Sequence, residues 1–424
     1  MAAIPAGGAS SSPLTWSALA ASAPPGHQDR SRGPASAQAL LRLFDGTPES
    51  AARVVLYRDH HAWCPYCQKV WLWLEARRVP YTIRKVTMRC YGDKERWFTA
   101  KVPSGMLPAL ELDGALITES DEILLALERA FGPLPGSPAL SSATVAPLRA
   151  LERRLFAAWC GWLCYPLAPA AAARAEAQFH AVAGSVAQAL TAQGGPLFLG
   201  QTLTVADVIF IPYLERMVAS LFYYKGLDLR ARYAPIGAFF TALEALPTYA
   251  PLASDFHTHA HDLPPQMGGC YASGSPEQQA AARHVDEGPW ATLPETSLPE
   301  PPGAAAEAVA RVCAHWAPLL RANPIPLAEG QLDAALRIVL SRLATGSPTA
   351  GGELPRGCAP ALRYIKDRIS VPRDMSTWAA RRLRQALQDA ACQDDERTRG
   401  AGVGGSVPLL TAHRRDADPA RFAS

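Results

Sequence analysis

The stretch Ala62-Trp-Cys64-Pro-Tyr-Cys67-Gln-Lys-Val-Trp-Leu-Trp-Leu-Glu75 decides how this chain is read. It follows an apolar run, Val54 to Tyr57, and its own apolar residues recur at helical spacing, so a strand is predicted to give way to a helix from about Pro65 to Arg77. Cys64 and Cys67 then stand one turn apart at a helix N-terminus. The free backbone N–H groups and the positive dipole end there favour thiolate over thiol, so a cysteine at this place is expected to attack at neutral pH.

Working outward, a second strand is predicted at Tyr81–Thr87 and a short helix from Asp93 through Phe98. The run Met106-Leu-Pro-Ala-Leu-Glu-Leu112 reads as a third strand, Asp113-Gly114 turns it, and Ala115–Thr118 returns antiparallel. A helix follows from Glu119 to about Phe131. Strand–helix–strand–helix–strand–strand–helix is the order of a thioredoxin-like α/β domain, with a mixed sheet of one βαβ crossover and one hairpin. The breaker-rich Gly132-Pro-Leu-Pro-Gly-Ser-Pro138 is a linker. Beyond it the pattern is all-helical: Val145–Cys164, Ala171–Ala192, Leu203–Leu221 and Tyr233–Leu246, the third opened by the capping pattern Thr204-Val-Ala-Asp207.

Further on, residues 257–302 read as a turn-rich connector and residues 303–393 as a helical extension. Helices are predicted near Ala304–Leu320, Ala328–Ala344, Ala359–Ile369 and Ser376–Ala391. Residues 394–424 are expected to be a disordered tail. So are residues 1–50, which are rich in Ala, Ser, Gly and Pro and carry Arg30, Arg32 and Arg42 with no acid before Asp29. That composition also fits a transit peptide and a plastid location, with the cytoplasm as the other option. The two folded domains are placed at 52–133 and 140–256.

Composition narrows the chemistry. With 41 basic and 38 acidic residues the net charge is +3, so no global field points to nucleic acid or an anionic membrane surface. Nine cysteines with one CxxC pair are not a secreted disulfide framework, and a reducing compartment suits them better. No apolar run reaches the roughly 18–20 residues that span a bilayer. A small-molecule partner is expected.

Together, the Cys64-Pro-Tyr-Cys67 site, Met106-Leu107-Pro108 before the third strand, Glu119-Ser120 opening a helix and Thr204-Val-Ala-Asp207 resemble the cysteine-type glutathione transferases. The dithiol, the stretch His257-Thr-His-Ala-His-Asp-Leu-Pro-Pro-Gln-Met-Gly-Gly-Cys270 and the C-terminal extension are most similar to the Iota class of photosynthetic organisms, although Tyr66 stands where that class has tryptophan. The resemblance implies a thioredoxin-like domain, an all-α glutathione-transferase domain and an extra helical region. It implies glutathione as co-substrate and a glutaredoxin-like thiol transfer or reduction, covering deglutathionylation and dehydroascorbate-type reduction of a small-molecule or protein disulfide substrate. A homodimer is compatible with it. A non-catalytic ligand carrier or scaffold on the same fold, and an enzyme reduced by thioredoxin-type donors, stay open.

Cys64 is the expected nucleophile, facing solvent at the helix start, and Cys67 the resolving thiol. Conventional conjugation is disfavoured, because it needs a hydroxyl donor to steady a glutathione thiolate. By resemblance, glutathione is held by Pro65, Tyr66, Lys94, Leu107, Pro108, Glu119 and Ser120, with Pro108 a candidate cis proline. The Leu107 backbone meets the cysteinyl part, Glu119 and Ser120 the γ-glutamyl end, and Lys94 the glycine carboxylate. Trp159, Trp162, Cys164 and Tyr165, with Phe222, Tyr223 and Tyr224, are candidates for the co-substrate pocket, though aromatics at helical spacing equally build core. No metal is expected. His257, His259 and His261 alternate as ligands do, but histidines in such a segment also bond backbone groups.

Overall fold

The computed structural model describes residues 12–23 and 29–398, which fall into two compact units. One holds 29–285 with Leu293–Leu298; the other holds 12–23, Asp286–Thr292 and 299–398. In chain order the first elements are helix α1 (Trp16–Ser22) and strand β1 (Leu41–Arg42), both inside the region expected to be disordered.

The larger unit is built on a sheet of β1, β2 (Val54–Asp59), β3 (Tyr81–Val86), β4 (Ala109–Leu112) and β5 (Ala115–Thr118), in the order β1-β3-β2-β4-β5. β2 and β3 run parallel across helix α2 (Pro65–Arg77), and β4 and β5 form the hairpin, as the pattern predicted. Helices α3 (Arg96–Lys101) and α4 (Ser120–Phe131) complete a thioredoxin-like α/β domain. β4 starts at Ala109 and not at Met106, since Pro108 has no N–H to give a ladder.

β1 corrects the disordered reading of residues 29–50. It adds antiparallel to β3, and Arg42, almost fully buried, donates from Nε and Nη2 to Glu75 at 2.7 and 3.0 Å. Its Nη1 also donates to the carbonyls of Arg30 and Gly33, 2.9 Å each. The guanidinium counted as part of a basic leader is a bidentate structural ion.

An all-α domain follows in the same unit: α5 (Ala146–Leu163), α6 (Pro169–Thr191), α7 (Val205–Lys225), α8 (Leu229–Arg232) and α9 (Ala234–Glu244). Asp207 closes the first turn of α7, accepting from Thr204 N–H at 2.7 Å and from Phe198 N–H at 2.8 Å. Helices α10 (Phe256–Met267) and α11 (Pro276–Glu287) then overturn the turn-rich reading of 257–302. Pro264 and Pro265 sit near the end of α10, and Asp255 caps its start by accepting from Thr258 N–H at 2.8 Å.

The other unit holds α12 (Ala304–Cys313), α13 (Trp316–Ala322), α14 (Gln331–Thr345), α15 (Ala359–Arg368) and α16 (Thr377–Thr398). The single helix expected over Ala304–Leu320 is split, because Pro318 is tolerated only in the first turn of a new helix. α16 continues past Gln393, where Asp394 accepts from the N–H groups of Gly357 and Ala359 at 3.1 and 2.9 Å and so holds the start of α15. α1 packs on α12 and α14: Leu19 is fully buried, Trp16 stacks on Trp316 at 5.0 Å, and its Nε1 donates to Asp333 at 2.7 Å. Too short to be a stable helix alone, this segment is ordered by a surface that other helices supply. The remaining parts of the 1–50 and 394–424 expectations, 1–11, 24–28 and 399–424, lie outside the described residues. Among the described residues no helix is long and apolar enough to cross a membrane.

Candidate active site

The sheet register gathers the candidate residues. Tyr57, Ala109 and Thr118 lie in one row, and Asp59 pairs with Val86. The loop to Cys64, the Leu107–Pro108 step, Glu119 and the segment leading to Lys94 therefore all leave the sheet at the same end. Five of the predicted positions converge because the parallel strands β2 and β3 both end there, antiparallel β4 starts there and β5 returns there.

Cys64 is the N-cap of α2 with Pro65 in the first turn. Its sulfur accepts from Cys67 N–H at 3.4 Å and lies 3.9 Å from the Leu107 carbonyl. An N–H at a helix start is a favourable donor to a sulfur anion. The expectation that Cys64 faces solvent needs correction: it is 6% exposed, while the neighbouring Tyr66 is 41% exposed. The loop that carries it is held down on both sides. Trp63 N–H donates to Asp59 at 2.7 Å, and the Arg216 guanidinium of α7 donates to the Trp63 carbonyl. Cys67 is buried deeper, and that burial, with Cys64 beside it, pushes its thiol well up.

The Leu107–Pro108 bond is cis. Lys94 donates to the Thr87 carbonyl at 2.8 Å; burial pulls its ammonium down, although the sulfurs of Cys67 and Cys64 are close enough to favour its charge. Glu119 is exposed and caps α4 with φ 65°, a strained backbone for a non-glycine residue, and Ser120 is buried behind it.

The wall opposite comes from a face of α5 that the sequence reading missed. Tyr66 meets Tyr213 edge-on at 5.9 Å, Tyr213 meets Phe156 at 5.3 Å, and Glu152 and Cys160 are within electrostatic reach of Tyr66. Glu152, Phe156 and Cys160 form an i, i+4, i+8 stripe, a signal present in the sequence. The chosen aromatics lie on another face. Trp159 and Trp162 are core, Trp159 Nε1 donating to Ser220 at 3.1 Å and Trp162 packing on Phe179. Phe222 and Tyr224 pack toward α10, Tyr224 donating to the Ala260 carbonyl at 2.8 Å, and Tyr165 is exposed.

Burial pushes the Glu152 carboxyl up to about 7. Asp121 moves the other way: burial opposes its charge, but Lys69 at 2.6 Å and Arg149 at 2.8 Å hold it down at about 2. These ion pairs fasten α2 and α4 to α5.

The three histidines do not alternate in space, because they lie on a helix with 3.6 residues per turn. His257 and His261 share one face with ring centroids 5.0 Å apart, and His259 points elsewhere. His259 Nε2 is 2.8 Å from Glu215, which also accepts from Tyr249 at 2.8 Å and from Gln68 of α2 at 3.1 Å. His259 is thus a buried ion-pair member in a network beneath α2.

Comparisons with known proteins agree with this architecture. Residues 63–130 match the family model "Glutathione S-transferase, N-terminal domain" and residues 124–248 match "Glutathione S-transferase, C-terminal domain". The chain is 26% identical over 169 residues to "Glutathione S-transferase DHAR3, chloroplastic" of Arabidopsis thaliana, covering 38% of this chain and 58% of that protein. It is 27% identical over 164 residues to "Glutathione S-transferase DHAR2" of the same plant, covering 38% and 71%. With "Glutathione S-transferase L3", also from Arabidopsis thaliana, identity is 26% over 220 residues, covering 50% and 85%. The chain thus spans little more than half the length of the first of these relatives, and the helices of the 299–398 region lie beyond the matched models. The α/β and all-α domains of the larger unit match the models of the N- and C-terminal domains of glutathione S-transferases.

Proposed function

We propose that the chain is a cysteine-type glutathione transferase, nearest the Iota class, that catalyses glutathione-dependent thiol transfer or reduction at Cys64-Pro65-Tyr66-Cys67. One observation carries this reading: the Cys64 sulfur sits on a helix N-terminus and shares a sheet end with cis Leu107–Pro108, Glu119-Ser120 and Lys94. Leu107 offers backbone groups to an extended cysteinyl unit, the start of α4 receives the γ-glutamyl carboxylate with Glu119 for its ammonium, and Lys94 meets the glycine carboxylate. Pro65 and Tyr66 line the sulfur.

In deglutathionylation the Cys64 thiolate attacks the glutathione sulfur of a mixed disulfide, and the substrate leaves as a thiol after taking a proton. A second glutathione thiolate then attacks the Cys64–glutathione disulfide, restoring Cys64 and releasing glutathione disulfide. In dehydroascorbate-type reduction two glutathione thiols give up two electrons and two protons to the substrate and leave as glutathione disulfide. The high, buried Cys67 thiol is a poor attacker at neutral pH, which supports the monothiol route. A plastid location belongs to the same proposal, supported by the chloroplastic relative.

Assay of Cys64→Ser against a glutathionylated peptide tests the mechanism: activity is expected to vanish, and full retention would sink it. If calorimetry detected no glutathione binding to the intact chain, the carrier reading would replace the enzyme reading.

A further inference from the structure

Three cysteines outside the CPYC turn are brought together at the far end of α5. Cys160 lies in its last turn, Cys164 is its C-cap, and Cys270 follows α10. Tyr271 N–H donates to the Leu163 carbonyl at 2.9 Å, which lays Cys270 beside Cys164. Lys225, the last residue of α7, fastens the same spot by donating to the Tyr271 carbonyl at 2.9 Å, with its ammonium over the Trp162 ring. In this setting the Cys160 and Cys270 thiols and the Lys225 charge are near enough to the Cys164 sulfur to favour its anion. All three cysteines are partly exposed.

We propose that Cys164 is a second nucleophilic thiol of the chain, and that it exchanges with glutathione disulfide to end in a Cys164–Cys270 disulfide. The Cys164 thiolate attacks one sulfur of glutathione disulfide; that S–S bond breaks, and one glutathione leaves as thiolate and takes a proton from water. Cys270 then gives up its proton and attacks the Cys164 sulfur of the mixed disulfide, and the second glutathione leaves. Two protein thiols are oxidised and one glutathione disulfide is reduced to two glutathiones.

The three sulfurs are unequal in the way this needs. The neighbouring Cys160 thiol, then the Cys270 thiol, and also Lys225 pull Cys164 down, while Cys160 and Cys270 are pushed up by their closeness to it and by burial. Asp262 on α10 adds to the push on Cys270, and Glu176 on α6 faces Lys225. One sulfur attacks and the others keep their protons until needed. Cys270 is the partner because i, i+4 positions such as Cys160 and Cys164 hold their Cβ atoms about 5–6 Å apart, beyond the roughly 3.5–4.5 Å a disulfide needs. Cys270 instead follows Gly268 and Gly269, at φ 79° and 148°, where backbone without Cβ can adjust.

The site does not depend on Cys64, so the test uses the full chain carrying Cys64→Ser, in which failure of the CPYC reading has no bearing. Alkylation rates are followed by peptide mapping from pH 6 to 9. Cys164 is expected to change less than about two-fold, while exposed Cys392 rises about ten-fold per pH unit below its own titration. Lys225→Met should restore a pH dependence to Cys164, and Lys225→Arg should keep it flat. Treatment with glutathione disulfide should yield a Cys164–Cys270 linked peptide. Alkylation of Cys164 that tracks Cys392, a Cys164–Cys160 peptide, or no linked peptide would each overturn the proposal.

Discussion

Cys64 and Cys164 sit at opposite ends of their helices, and the contrast shows how differently a sulfur anion is supported. At the N-cap of α2 the backbone supplies the donor, Cys67 N–H, and the dipole has the right sign. At the C-cap of α5 the dipole has the wrong sign, a handicap of about 0.3–1 kcal/mol. The neighbouring Cys160 and Cys270 thiols and the Lys225 charge act against it, and the Cys164 thiol is held below its ordinary range. The first site is carried by local sequence, the second by contacts between α5, α7 and the segment after α10.

The strongest break in the comparison is Cys64→Ser, expected to lower thiol-transfer turnover by at least about 10³-fold while the Cys164 alkylation profile is unchanged; a matching loss at both would mean they are not separate sites. Next is Asp121→Asn, which loosens α5 on the Cys64 side alone. Asp121 titrates at about 2 in the folded chain, below its ordinary 3.8, so its stabilisation is complete above about pH 4 and lost as pH falls toward 2. The variant should be less stable by roughly 2 kcal/mol at pH 7 in denaturant melts, with the gap closing by about pH 2. Glu152→Gln should flatten an inflection near pH 7 in the turnover profile, a change of a few-fold at most, because wild-type Glu152 gives up its proton there. Cys67→Ser is the smallest: with excess glutathione, turnover is expected to stay within about two-fold, and a large drop would favour the dithiol route.

Much of the larger unit was legible because its signals are short-range. The α2 boundaries, the β4–β5 hairpin and the Thr204–Asp207 cap each follow from a few adjacent residues. α1 and β1 were not, since both are ordered by partners remote in sequence, Asp333 and Trp316 for the one and Glu75 for the other. α10 was hidden by prolines that only a near-terminal helical position excuses. In the site, Cys64, Cys67 and Pro108 announced themselves. The Glu152–Phe156–Cys160 stripe did not, because periodicity shows that α5 has faces and leaves open which one meets Tyr66.

Arg216 reaches out of α7 to the carbonyl of Trp63, the residue before the nucleophile, and to Gln68 one turn beyond it at 2.7 Å. The catalytic turn therefore has part of its mould in the second domain. A thioredoxin-like fragment cut at the 132–138 linker would strand those buried acceptors, each costing about 1–3 kcal/mol. Grafting Cys64-Pro65-Tyr66-Cys67 onto a bare redoxin scaffold would likewise transfer the letters without the support, so the smallest portable version of this active site is a two-domain piece that includes α7.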